Sequence, residues 1–169
     1  MRLFISIGFD EKTNDELMGV MDNLKKCSRK GMFYERENLR LNFLLLNQIE
    51  DIGDIKKAVE KIKIEPFSVR FTRVDRSRRE GGDIYWMMAE MNTVLDGIYS
   101  KIKEFADHFK YEYEEKPFKA RVQLGSNIIA RPNFKLEGFE GLVKNISIVK
   151  YVQAKGMDIY KELYCKDIL

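Results

Sequence analysis

Two short triplets hold the residues whose types and spacing could do chemistry: Arg40-Leu41-Asn42 and Arg121-Val122-Gln123. Each places a guanidinium and a carboxamide two residues apart inside an otherwise apolar run, LRLNFLLLN in the first case. Successive side chains of a strand point to opposite faces, so within each triplet the arginine and the amide share a face. Guanidinium and amide groups aimed at one place form a set of hydrogen-bond donors suited to an oxyanion such as phosphate. Three readings of the pairs stay open at this level. They bind an anion, the arginines pair with acidic neighbours, or a different enzymatic chemistry uses them.

Other chemistry is thinly represented. The chain has one histidine, His108, and two cysteines, Cys27 and Cys165, in no metal-ligand or redox spacing. Clustered acids are lacking as well, so no metal site and no cofactor are expected. No glycine-rich phosphate loop or Ser/His/Asp arrangement appears. A second cationic region, VRFTRVDRSRREGG, carries arginines at 70, 73, 76, 78 and 79. Arg76, Arg78 and Arg79 could hold an RNA backbone at a cleft edge, although a solvated hairpin tip has the same composition.

The elements that must position these groups follow from periodicity. The order predicted is a strand at 2–9, a helix whose inner face is Leu17, Val20, Met21, Leu24 and Cys27, and a strand at about 39–46. Lys25, Lys26, Arg29 and Lys30 suit that helix's C-terminal end, with Gly31 as its cap. A helix over 51–63 follows, then a hairpin of 67–74 and 83–91. A helix over 93–109, with Phe105 and Phe109 inward, precedes strands from Phe118 to about Ile129 and from Val143 to Gln153. The tail from Tyr160 is ambiguous between a strand and a helical turn. Strands in this order with interspersed helices predict an α+β protein with a largely antiparallel sheet. At 169 residues, 44% hydrophobic and 34% charged, the chain fits one compact unit. The longest apolar runs are far short of a bilayer span, and the first residues read as a strand and not a signal peptide, so a cytoplasmic protein is expected. A net charge of +3 tolerates an anionic ligand without requiring nucleic acid.

Five stretches in register, MRLFISIGF, ENLRLNFLLLNQIED, DIYWMMAE, PFKARVQLGSNI and ISIVKYVQAKGMDIYKEL, carry a further signal. In order and spacing they resemble the bacterial and archaeal RNA 2',3'-cyclic phosphodiesterases, or 2'-5' RNA ligases, of the two-histidine phosphoesterase superfamily. The resemblance implies a bilobal fold: residues 1–169 form a single domain of two pseudo-symmetric lobes, with helices outside and a central cleft. It also implies that the family's two His-x-Thr motifs fall on Arg40-Leu41-Asn42 and Arg121-Val122-Gln123, and that Tyr160 is a cleft-wall residue and possible RNA contact. Arginine stays protonated at physiological pH and cannot serve as a general base, so no catalytic residue of the family mechanism is expected here. What the resemblance leaves is a phosphorylated nucleotide or RNA end as partner, with Arg40, Asn42, Arg121 and Gln123 as phosphate-binding positions. The alternatives are a working phosphoesterase or ligase using other residues, and a protein-interaction scaffold.

Overall fold

The computed structural model describes residues 1–154 and 156–169. Its strands are β1 (Arg2–Phe9), β2 (Ser28–Phe33), β3 (Leu41–Asn47), β4 (Ser68–Ser77), β5 (Asp83–Ala89), β6 (Glu112–Tyr113), β7 (Arg121–Ala130), β8 (Phe139–Ala154) and β9 (Met157–Asp167). The helices are α1 (Glu11–Lys26), α2 (Gly53–Lys61) and α3 (Thr93–His108). The protein is α+β, and all its strand pairs are antiparallel.

Alternation explains which way each strand faces. Leu3, Ile5 and Ile7 of β1 are fully buried in the hydrophobic core, while Arg2, Phe4 and Ser6 project from the opposite face. In β5, Tyr85 and Met87 are core residues, which leaves Trp86 on the other side. The helices contribute their apolar stripes to the same core: Leu17, Val20, Met21 and Leu24 from α1, Ile55 and Val59 from α2, and Leu95, Ile98 and Ile102 from α3. Both long helices begin at side-chain caps, Asp10 accepting from the Thr13 amide and Asn92 from the Leu95 amide.

One nine-stranded sheet runs β2-β7-β5-β4-β8-β1-β3-β6, with β9 added alongside β8. A further pairing, β7 with β3, brings the path back on itself, so the strands β7-β5-β4-β8-β1-β3 form a closed circuit. The β4–β8 join comprises four residue pairs, from Ser68↔Leu142 to Phe71↔Phe139. The β3–β7 join is one pair, Leu41↔Val122.

Several expectations need correcting. α1 ends at Lys26 with Cys27 as its cap, and Gly31 lies inside β2 rather than ending the helix. There a Cβ would meet the Phe33 ring at 2.7 Å and Ile128 at 2.8 Å, so close packing and not a left-handed turn favours glycine. Phe109 caps α3 and is 37% exposed, because the helix has already ended where that side chain would turn inward. The tail is a strand, and β6 adds a short rung to β3 at Leu46 and Asn47.

Candidate functional site

The Leu41↔Val122 pair brings the two triplets side by side. Both residues are fully buried on the core face, so the flanking arginines and amides are displayed on the opposite one. Antiparallel pairing centred on this pair sets Asn42 toward Arg121 and Arg40 toward Gln123. Asn42, Arg121 and Gln123 line a cleft of about 590 Å³, together with Arg2, Phe4, Trp86, Tyr151 and Tyr160 among others. A larger apolar groove of about 960 Å³ lies on the outside between α2 and α3 and contains none of the triplet residues. The smaller cleft is where polar donors and aromatic rings converge, and it is the candidate site.

The two arginines behave alike in one respect. Ser6 is the β1 residue opposite Asn42, and Arg40 leans over it. Trp86 is the β5 residue opposite Gln123, and Arg121 leans over it. Each guanidinium thus crosses to the residue that pairs with its own triplet's amide.

Their surroundings differ. Arg40 does not line the cleft cavity; its Nε donates to Ser6 Oγ at 2.7 Å and its Nη2 to Asn145 Oδ1 at 2.8 Å, with a longer contact to the Ser6 carbonyl. Ser6 and its cross-strand partner Ser147 are fully buried, and Ser147 Oγ donates to Glu162 at 2.7 Å. Burial lowers the Arg40 pKa, while the charges of Glu162 and Cys165 act the other way. Gly8 lets it pack close, since a Cβ there would lie 2.6 Å from Arg40 Nη1 and 2.7 Å from Asn145 Oδ1 and both side-chain ends would have to shift. Arg121 instead rests on an aromatic face, with its Cζ 3.6 Å from the Trp86 ring centroid. Burial and then the positive charge of Arg79 lower its pKa, and Asp75 opposes them. Among the described residues neither Arg40 nor Arg121 forms an ion pair.

Phe4, Tyr151 and Tyr160 form an aromatic wall of the same cleft. Tyr160 Oη lies 2.9 Å from Tyr34 Oη, and Asp158 accepts from Tyr34 at 3.0 Å and from Tyr151 at 2.8 Å. Phe4 packs edge-on against Tyr151, and the Arg2 guanidinium sits 4.8 Å from the Tyr151 ring centroid. Burial raises the Tyr34 and Tyr160 phenols well above the ordinary tyrosine range and pushes Tyr151 up to about 12.

The hairpin arginines are dispersed. Arg76 lies opposite Tyr85, on the face away from Trp86, and pairs with Asp83 at 3.5 Å. Arg78 and Arg79 occupy the exposed tip, where Arg79 Nη1 donates to the Arg78 carbonyl. None of the three lines the cleft, whereas Tyr160 does. His108 is the last residue of α3 and borders the outer groove. Among the described residues no group of three His, Cys, Asp or Glu is placed to hold a metal ion, and no helix is long and apolar enough to cross a membrane. Sequence reasoning missed the cleft residues Arg2, Phe4 and Tyr151, and above all Trp86. The signal for Trp86 was present: it alternates with Tyr85 and Met87, so one residue of that run had to face away from the core.

No family model and no curated protein matches the sequence. Solved structures do match over nearly the full length. TT0787 of Thermus thermophilus superposes with a TM-score of 0.74 at 18% identity, covering 99% of this chain and 98% of that one. E. coli LigT in apo form gives 0.73 at 16% identity, covering 98% and 96%. E. coli LigT complexed with 3'-AMP gives 0.71 at 14% identity, covering 99% and 96%. This chain has the LigT fold. LigT has also been crystallised with ATP and with phosphate.

Proposed function

We propose that this protein binds a phosphorylated nucleotide, or the phosphate end of an RNA, in the cleft between two related lobes of a single domain. On this reading it works without the two-histidine acid–base chemistry of the family it resembles. The observation that carries the reading is the meeting of Asn42, Arg121 and Gln123 in one cleft across the Leu41↔Val122 pair. Arg121 there has no carboxylate partner among the described residues, and an anion is what a half-buried, unpaired guanidinium lacks. The LigT complexes with 3'-AMP and phosphate support a phosphate-bearing ligand in this fold. The aromatic wall offers rings for a base to stack on. Arg40 sits deeper, outside the cleft lining, where its Nε and Nη2 are bound to Ser6 and Asn145, so its part on this reading is to support the strands beneath the site.

No imidazole lines the cleft, since His108 lies at the outer groove. Removing a positioned acid or base costs about a hundredfold to ten-thousandfold in rate, so hydrolysis of a 2',3'-cyclic nucleotide should stay near background. The test is calorimetric titration with phosphate, 3'-AMP and a short 3'-phosphorylated RNA, alongside a cyclic-nucleotide hydrolysis assay. Binding that weakens about tenfold or more in Arg121→Ala is the expected result, because a hydrogen bond to a charged group contributes roughly 1.5 to 3 kcal/mol. Absence of binding to every probe would leave the scaffold reading. Robust turnover that survives Arg121→Ala would return the protein to the enzymes.

A further inference from the structure

The sole tryptophan of the chain stands on the cleft side of β5, where the largest apolar side chain has no core to enter. Arg121 covers it. A Cζ-to-centroid separation of 3.6 Å is van der Waals contact, which the planar guanidinium reaches by lying flat on the indole. The indole is itself held: Trp86 Nε1 donates to Ser77 Oγ at 2.9 Å, tying the ring to β4. A flat stack uses the face of the guanidinium and leaves its N–H donors around the rim, in the plane of the group. Among the described residues no protein acceptor takes any of them. Arg40, by contrast, gives Nε and Nη2 to Ser6 and Asn145.

We propose that Trp86 is the positioning residue for Arg121: tethered by Ser77, it fixes the plane of the guanidinium so that the in-plane fork meets phosphate oxygens at the cleft centre. The proposal rests on the reading of Arg121 as the phosphate anchor. It adds a reason for arginine at this position, because a lysine carries the same charge with neither a flat face to stack nor a fork to present.

The experiment combines binding with the fluorescence of the one tryptophan. Phosphate and 3'-AMP are titrated against wild type, Trp86→Ala, Trp86→Phe, Ser77→Ala and Arg121→Lys, and against the Trp86→Ala/Arg121→Lys double variant. Trp86→Ala should weaken binding about fivefold to thirtyfold, and Ser77→Ala by a smaller factor in the same direction. Arg121→Lys should cost about tenfold in wild type but less than about threefold once Trp86 is gone, because without the platform arginine loses its advantage. Trp86→Phe, which keeps an aromatic ring in the sheet, serves if the alanine variant does not fold, and should fall between the two. Losses that add fully in the double variant, or unchanged affinity in Trp86→Phe and Ser77→Ala, would overturn the proposal. Ligand-free emission separates the two possible failures. If wild type binds neither probe, the phosphate reading falls and the positioning role falls with it. If wild type binds but its ligand-free emission equals that of Arg121→Lys, the stack is not formed and only the positioning role is lost.

Discussion

Arg40 and Arg121 start from the same local grammar, an arginine two residues before an amide on strands that pair antiparallel, yet they end in different states. Arg40 is anchored by neutral acceptors on β1 and β8, close over Gly8. Arg121 touches a ring and keeps its donors free. What separates them is the residue across the sheet: a buried serine is an acceptor that draws a guanidinium down, and an indole is a surface that lets it lie on top. An arginine's own position thus says little about its task until the neighbouring strand is known.

The contrast yields measurable differences, beginning with stability. Arg40→Ala leaves the buried Ser6 and the half-buried Asn145 without their donor and opens space beneath the cleft, so it should lower stability by about 2 to 4 kcal/mol. In thermal unfolding that corresponds to a fall in Tm of about 5 to 15 °C. A melting temperature equal to wild type would mean that the Ser6 and Asn145 bonds hold nothing. Arg121→Ala should do the reverse, changing stability by less than about 1 kcal/mol while phosphate affinity drops about tenfold or more in calorimetry. If the melt moves more than the affinity, the distinction between the two arginines collapses.

Gly8→Ala sharpens the comparison from the Arg40 side. The added methyl must displace two flexible side-chain ends, at a cost of about 1 to 2 kcal/mol. In an Arg40→Ala background the same change should cost less, which a double-mutant cycle by urea unfolding would detect. Asn145→Ala removes one acceptor from Arg40 and should cost about 1 kcal/mol, with Arg121-dependent phosphate binding within about twofold of wild type. The smallest effect is in pH. Tyr151 is raised from 10.0 to about 12 in the folded protein, first by burial and then by its bond to Asp158. A raised folded pKa gives stability that is complete below the unfolded value and is lost as pH rises through the folded one. Stability measured between pH 9 and about 12 should therefore fall less steeply in Tyr151→Phe than in wild type.

Much of this was readable from sequence, for identifiable reasons. The shared face of Arg40 and Asn42, and of Arg121 and Gln123, follows from a period of two that no tertiary contact alters. The 3.6-residue stripes of α1 and α3 placed Leu17, Leu24, Leu95 and Ile102 correctly. β2 escaped because SRKGMF neither alternates nor buries a side chain fully, and its Arg29, Lys30 and Gly31 imitate a helix end. The destination of Arg40 escaped too, since it depends on Ser6, 34 residues away, and Asn145, 105 residues away. The role of Trp86 required knowing that β5 lies between β4 and β7.

The uneven closure of the strand circuit has a kinetic consequence. Four residue pairs join the two halves at β4–β8 and one joins them at Leu41↔Val122, so the circuit resembles a bracelet with a firm hinge and a light clasp. The amides flanking the clasp should be among the first in the sheet to exchange with deuterium, by local opening that leaves the hinge intact. The clasp is also where the two triplets meet. A ligand touching Asn42 on one strand and Gln123 on the other would fasten it, slowing exchange on both strands together.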